Sequence, residues 1–279
     1  MRIYRYRIGR AVYYGEQIKE NVLARCVRPS TDEFRLHRAG AEDLLSEVEV
    51  LVPCQPSKVI CVGRNYREHA QEMGNVAPEE RPLLFFKPPS CLIASGEAIV
   101  MPMGAERVDY EGEIALVIGK RCFQVDAAEA YGYLLGVTAF NDVTERNWQK
   151  RDAQWTVAKG CDTFGPCGPY IDTSAAEALR IGGERPVPLA VTTLVNGEQR
   201  QHGDISALTF NFASLISYAS QYMTLEAGDL IATGTPAGVG QLREGDEVAV
   251  ELNCGPRLVN RVIAWQPAPA RGGDGQPAA

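Results

Sequence analysis

Two carboxylates separated by one residue, Glu111 and Glu113, and a third at Asp142 are the side chains whose types and spacing most directly suggest chemistry. The first two fall within Val108-Asp109-Tyr110-Glu111-Gly112-Glu113-Ile114-Ala115-Leu116-Val117-Ile118-Gly119, a β-branched and aliphatic run closing on glycine. It reads as one buried strand. Side chains alternate faces along a strand, so Glu111 and Glu113 are expected to point the same way, about 6 to 7 Å apart. Ionised carboxylates that close, beside an apolar run, repel each other and lose hydration unless a cation or a proton compensates. A second apolar run, Gly136-Val137-Thr138-Ala139-Phe140-Asn141, ends on Asp142. With no Cys or His in either run the donor set is oxygen only, which suits Mg²⁺ or Mn²⁺ better than zinc. Alone, an E-x-E pair also reads as a solvated strand face, and an Asp after a strand as a turn or helix cap.

Other stretches supply proton-transfer and charge-stabilising groups. Gly63-Arg64-Asn65-Tyr66-Arg67-Glu68-His69-Ala70-Gln71-Glu72 reads as a short helix capped by Asn65, on which His69 and Glu72 share a face. In that dyad Glu72 orients the imidazole and His69 takes a proton; the bland alternative is a surface pair. Residues 74–80 read as a mobile loop. Lys87 ends the strand Pro82 to Lys87, and Lys159 stands before a glycine in Trp155-Thr156-Val157-Ala158-Lys159-Gly160. Helical patterning is read at Asp126 to Tyr131 and at Thr144 to Arg151, the latter placing Arg146 and Gln149 on one face. Leu225 to Gly240 carries four glycines and Thr235, permitting close backbone approach to an anion; no G-K-S/T follows, so it is not a Walker loop.

The elements that must hold these residues are mostly strands. Ile3 to Ile8, Ala11 to Tyr14 and Asn21 to Cys26 read as short strands of a small N-terminal β-rich module, residues 1–52. A Pro-containing linker leads to the buried strand Lys58 to Val62, where a main domain over residues 57–265 begins. Leu189 to Val195 leads into an Asn196-Gly197 hairpin turn, Thr209 to Met223 is an amphipathic helix, and Val248 to Leu252 and Leu258 to Ile263 are closing strands. From residue 266 the chain is rich in Pro, Gly and Ala and is expected to be a disordered tail. The fold class is α+β, predominantly β.

Composition narrows the partners. A net charge of −7 with scattered Lys and Arg gives no basic footprint for nucleic acid or an anionic membrane. Eight cysteines without a C-x-x-C pair read as reduced thiols, and no run is long enough to span a membrane, so a soluble cytoplasmic protein is expected.

Taken in order, G-R-N-Y-x-x-H-x-x-E (Gly63 to Glu72), F-x-K-P (Phe85 to Pro88), Y-E-G-E (Tyr110 to Glu113), N-D-V-T (Asn141 to Thr144), W-T-x-A-K (Trp155 to Lys159) and T-G-T-P-x-G-V-G (Thr233 to Gly240) resemble the fumarylacetoacetate hydrolase family, from about Lys58 to Ile263. The resemblance, to the short members, implies a mixed β-sandwich roll with peripheral helices, a homodimer or larger, and Mg²⁺ or Mn²⁺ held by Glu111, Glu113 and Asp142. It implies His69 and Glu72 as acid/base dyad and Lys159 as a catalytic cation. Arg64, Tyr66, Arg146, Gln149 and Thr235 are then substrate-binding candidates for a small 2-oxo acid. The leading expectation is hydrolytic C–C cleavage of an acylpyruvate or fumarylpyruvate-type 2,4-dioxo acid. The alternatives are oxaloacetate-type decarboxylation, isomerisation of 2-hydroxyhepta-2,4-diene-1,7-dioate in aromatic catabolism, and a catalytically silent metal-binding regulator or scaffold.

Overall fold

The structure is a computed structural model and describes residues 1–28, 30–74, 76–182 and 188–266. The tail expected from residue 266 lies, beyond Gln266, outside the described residues, as does Asn75 of the expected loop. Alternating polar and apolar residues open the chain as β1 (Arg2–Ile8), β2 (Ala11–Lys19), β3 (Val22–Val27), β4 (His37–Leu44) and β5 (Glu49–Leu51). β2 runs five residues past the expected Tyr14. The motif-bearing part follows with β6 (Val59–Gly63), α1 (Arg67–Glu72), β7 (Leu83–Lys87), β8 (Leu92–Ile93), β9 (Ala98–Met101), β10 (Val108–Tyr110), β11 (Gly112–Ile118) and β12 (Leu134–Asn141). Then come β13 (Thr144–Glu145), α2 (Arg146–Arg151), α3 (Thr156–Gly160), β14 (Gly165–Asp172) and α4 (Thr173–Gly182). The chain closes with β15 (Ala190–Val195), β16 (Glu198–Asp204), α5 (Phe212–Tyr222), β17 (Leu230–Ala232), β18 (Gly240–Gln241), β19 (Glu247–Leu252) and β20 (Arg257–Ala264).

Among the described residues these strands form three sheets. A 12-stranded sheet runs β4-β3-β2-β1-β14-β12-β11-β17-β6-β7, with β5 on β1 and β8 on β14; a five-stranded sheet runs β16-β15-β19-β20-β9; and β13-β10-β18 is a third. The N-terminal strands join the large sheet through β1, which pairs with β14 at Ile3 and Ile171. The strand-dominated α+β class read from the sequence is the one observed.

Strand parity sets the layers. Ile114, Leu116 and Ile118 of β11 and Ile60 and Val62 of β6 pack with Val191, Val250 and Leu252 of the five-stranded sheet and with Phe212, Leu215, Ile216 and Ala219 of α5. The alternate residues Ala115, Val117, Val59 and Cys61 pack on the opposite face with Phe140, Phe34 and Ile3. Both faces of β11 are therefore buried, which explains its near-continuous apolar run. Each fully buried Ile or Leu contributes about 1.5–3 kcal/mol.

Several local expectations are corrected. At Thr144 to Arg151 the first two residues form β13, with Val108↔Glu145 and Asp109↔Thr144 pairing, and the helix starts at Arg146 behind Glu145, whose carboxylate accepts the Trp148 N–H. At Asp126 to Tyr131 there is a turn followed by a 3₁₀ segment, Ala130–Tyr133, in place of an α-helix. Asn65 does not cap α1: its Nδ2 donates to Phe210 O and Thr233 O, and its Oδ1 accepts the Phe210 N–H. The hairpin turn forms as expected, with φ +53° at Asn196 and +79° at Gly197. No helix of the described residues is long and apolar enough to cross a membrane.

Candidate active site

The expected single strand from Val108 to Gly119 breaks at Glu111. β10 pairs with β13 and β18 in the small sheet, whereas β11 pairs with β12 and β17 in the large one. Gly112, between the two glutamates, is clamped from both sides: its N–H donates to Gln201 Oε1 at 3.0 Å and its carbonyl accepts the Thr235 hydroxyl at 2.9 Å. A Cβ on Gly112 would lie 1.9 Å from Thr193 Oγ1, so only glycine fits. Asp142 enters directly after β12, its N–H donating to Glu111 O at 2.8 Å. Convergence of the carboxylates thus comes from a break in the strand at Glu111, where the chain passes from one sheet to the other, whereas the sequence suggested simple alternation. Oxygens of Glu111, Glu113 and Asp142 lie within 4.8 Å of one another, and all three residues are buried.

Their electrostatic surroundings differ. Lys159 Nζ reaches Glu111 Oε2 at 2.8 Å and Asp142 Oδ2 at 2.6 Å; Lys87 Nζ reaches Asp142 Oδ1 at 2.7 Å; Arg146 Nη1 reaches Glu111 Oε1 at 2.6 Å. Burial alone would push Glu111 up, but Lys159 and Arg146 hold its carboxyl well below the usual range. Glu113 makes no ion pair among the described residues and accepts only the Gly234 N–H, at 2.8 Å. Burial first, then Asp142 and Glu111, push Glu113 well above the ordinary carboxylate value. A buried carboxyl with no basic partner, beside two ionised ones, is the arrangement a hard divalent cation would relieve. The residues present fit such an ion.

A cavity of about 330 Å³ opens onto this triad and is also lined by Arg64, His69, Arg146, Gln149, Lys159 and Thr235. His69, on α1, is buried, and its Nδ1 stands 3.4 Å from Glu72 Oε2. Burial is the main cause holding the imidazole below its ordinary value, with Arg146 acting the same way and Glu111 and Glu72 opposing. Glu72 is itself fixed by the Gly238 N–H at 3.1 and 3.2 Å, and Gly238 sits at φ +99°, where a Cβ would be 2.1 Å from Arg200 O. Burial works against the Lys159 charge, but Asp142 and Glu111 outweigh it and keep the amine above the ordinary lysine value. Phe85 and Trp155, edge to face with centroids 5.2 Å apart, form an apolar wall.

The structure brings most of the sequence-derived candidates together. Arg146 Nε donates to buried Asp109 at 2.9 Å and Nη1 to Gln149 at 3.0 Å, leaving Nη2 buried without a partner among the described residues. The Thr235 hydroxyl hydrogen is committed to Gly112, and its oxygen accepts Gln201 Nε2 at 2.7 Å. Tyr66 is buried but does not line the cavity; it forms a bridge with Leu208. Sequence reasoning assigned no role to Lys87, Asp109 or Gln201. The F-x-K-P motif was the signal for Lys87; Gln201, in a polar strand remote from every motif, offered none.

Residues 58–263 match the family model described as fumarylacetoacetate (FAA) hydrolase C-terminal, and the chain belongs to that family. Over 229 residues it is 40% identical to the oxaloacetate tautomerase YisK of Bacillus subtilis (strain 168), covering 78% of this chain and 74% of that protein. Among solved structures, 5-carboxymethyl-2-hydroxymuconate delta-isomerase from Mycobacterium smegmatis is similar with a TM-score of 0.83 at 36% identity, covering 95% of this chain and 100% of that one. Maleylpyruvate hydrolase from Sphingobium sp. SYK-6 is similar with a TM-score of 0.75 at 26% identity, again over 95% and 100%.

Proposed function

We propose that the chain is a divalent-metal-dependent enzyme that breaks a C–C bond in a 2-oxo or 2,4-dioxo acid, hydrolysing an acylpyruvate or fumarylpyruvate-type compound. The observation that carries this reading is the meeting, in one cavity, of an oxygen-only carboxylate triad with a buried histidine biased towards its neutral form. Glu111, Glu113 and Asp142 would hold Mg²⁺ or Mn²⁺, which when bound supplies Lewis-acid stabilisation of charge on the substrate's 2-oxo oxygen.

The chain's own groups account for the proton movements. With its Nδ1 proton facing Glu72, His69 presents a lone pair at Nε2 and takes a proton from water. That water attacks the 4-oxo carbon, and the C3–C4 pair departs as an enolate. His69 then returns the proton to C3. Lys159 places a buried ammonium beside the developing negative charge, where exclusion of water strengthens its effect. The unpartnered Nη2 of Arg146 is free to donate to a substrate oxygen, with Gln149 held beside it. The eight free thiols suit a reducing cytoplasm, and the family resemblance implies a homodimer or larger.

A second reading, keto–enol proton transfer on oxaloacetate, is favoured by the 40% identity to a tautomerase. The same base would act at C3 without an attacking water, giving the oxaloacetate enolate; decarboxylation instead loses CO₂ and leaves the pyruvate enolate that hydrolysis also forms. Proton NMR of metal-stripped protein with acetylpyruvate and with oxaloacetate, each with Mg²⁺, Mn²⁺ or EDTA, tests the readings. Metal-dependent acetate plus pyruvate supports hydrolysis. Accelerated enol–keto exchange of oxaloacetate without acetylpyruvate cleavage moves the assignment to tautomerisation, and pyruvate from oxaloacetate above the metal-only blank moves it to decarboxylation. No turnover of either overturns both readings and leaves dienedioate isomerisation or a silent metal-binding role.

A further inference from the structure

Gln201 does not line the cavity, yet it holds the backbone on which the carboxylates stand. It lies on β16, buried between the exposed Arg200 and His202, and its whole amide is used inward. Oε1 accepts the Gly112 N–H at 3.0 Å, and Nε2 donates to Thr235 Oγ1 at 2.7 Å and to Pro236 O at 2.8 Å. The Thr235 hydroxyl donates in turn to Gly112 O at 2.9 Å, closing a ring that leaves Gly112 and returns to it. The ring has one sense. A flipped amide would set Nε2 against the Gly112 N–H and Oε1 against Pro236 O, donor facing donor and acceptor facing acceptor. Gly203, on the same face of β16, lets the strand press on this turn, since a Cβ there would lie 2.7 Å from Pro236 Cβ.

The ring meets the carboxylates at both ends. Gly112 stands between Glu111 and Glu113, and Gly234, next to Thr235, donates its N–H to Glu113 Oε2 at 2.8 Å. Asn141 Oδ1 takes the Glu111 N–H and the Asp142 N–H takes Glu111 O, so every backbone polar group of Glu111 and Gly112 is held. The chain beneath the two glutamates cannot shift without breaking buried hydrogen bonds. Small Mg²⁺ demands close and regular oxygen placement, whereas Ca²⁺ accepts longer and more variable distances. A rigid backbone under the donors therefore favours the smaller ion.

We propose that Gln201 is a positioning residue that makes the triad selective for small divalent ions, Mg²⁺ and Mn²⁺, over Ca²⁺. The proposal deepens the metal-dependent reading and rests on it. Gln201 acts through Gly112 and Thr235, without touching the ion or the substrate.

The test uses metal-stripped full-length protein. Kd for Mn²⁺ is read from the electron paramagnetic resonance signal of the free ion, and Kd for Mg²⁺ and Ca²⁺ from displacement of Mn²⁺. Gln201→Met keeps the side chain's length and removes the ring. It is expected to weaken Mn²⁺ and Mg²⁺ about 10–100-fold, the range for lost outer partners of a metal site, and Ca²⁺ several-fold less. Thr235→Val removes one hydroxyl of the ring and is expected to move the ratio the same way by a smaller factor; it carries the test if circular dichroism shows Gln201→Met unfolded. Tyr6→Phe, which removes a buried contact to Asp43 in the N-terminal strands, should lower the melting temperature and leave all three Kd values unchanged. Wild-type ratios in both ring variants, an equal loss for all three ions, or the same ratio shift in Tyr6→Phe overturns the proposal. A wild type that binds no Mn²⁺ overturns the metal reading and the proposal with it. The expected shifts without turnover of oxaloacetate or acetylpyruvate support the proposal and overturn only the hydrolase and tautomerase readings.

Discussion

Replacing Glu113 with Gln should stabilise the metal-free protein while abolishing its response to metal. Glu113 is 2% exposed, lacks a basic partner among the described residues, and is pushed up by burial, Asp142 and Glu111. A carboxyl whose folded value is raised binds more protons folded than unfolded, so its cost to stability begins as pH rises past the unfolded value and grows until the folded group ionises. Its ordinary value is 4.5. If it stays protonated in the fold at pH 7, the cost approaches 1.36 kcal/mol for each unit above that, about 3 kcal/mol at most. Gln carries no such cost and keeps an oxygen for the Gly234 N–H. Urea denaturation of metal-stripped protein at pH 7 is therefore expected to show Glu113→Gln more stable by about 1–3 kcal/mol, with the gain vanishing near pH 4.5. Added metal at about 100 times Kd should stabilise wild type by about 2.7 kcal/mol and leave the variant unchanged. A metal-free variant less stable than wild type, or one with the full metal response, would refute the reasoning.

Other outcomes follow from the same contacts. Because burial holds His69 below 6.5, the acid limb of kcat/KM should fall below pH 6.5, and His69→Asn should cost about 10²–10⁴-fold in kcat; a limb above pH 7 would contradict a buried neutral base. Lys87→Met removes a buried partner of Asp142 and should lower the unfolding free energy of metal-free protein by about 3–5 kcal/mol in urea titration; a loss under about 1 kcal/mol would show that Lys159 alone compensates Asp142. Gly112→Ala drives a methyl into Thr193 Oγ1 and should destabilise by about 1–3 kcal/mol, with Thr193→Ala in the same chain recovering part of it. Thermal melts of the single and double variants would show this, and strict additivity would argue against the clash.

The legible parts of this fold are those set by local pattern. The apolar run of β11, the Asn196-Gly197 turn and the amphipathic helix follow from periodicity and turn chemistry; the helix, expected from Thr209 to Met223, runs Phe212–Tyr222 behind the Asn211 cap. The break at Glu111 was invisible because Tyr110 and Gly112 flank it with strand-compatible residues; it is imposed by Gln201 and Thr235, far away in sequence. Asn65 reads as a helix cap in isolation, yet Phe210 and Thr233 take its hydrogen bonds because the residue, ahead of α1, lies against the turn that follows β17. Thr144 reads as a helix start, but pairing with Asp109 claims it for a strand. The carboxylate triad could be named from motifs, whereas the division of its partners, with Lys87, Lys159 and Arg146 serving two carboxylates and none serving Glu113, depends on tertiary distances.

The most direct test of the central claim is deuterium exchange at C3 of pyruvate in D₂O, followed by proton NMR of the methyl signal. Hydrolysis releases a pyruvate enolate that His69 protonates at C3, so by microscopic reversibility the hydrolase must also run this exchange in reverse; tautomerisation acts on the C3 proton of oxaloacetate and carries no such requirement for pyruvate. Wild type with Mg²⁺ or Mn²⁺ should lose the methyl signal well above the metal-only blank, and EDTA, Glu113→Gln and His69→Asn should each return it to that blank. Exchange that survives EDTA or loss of His69, or wild type no faster than the blank, would contradict the account.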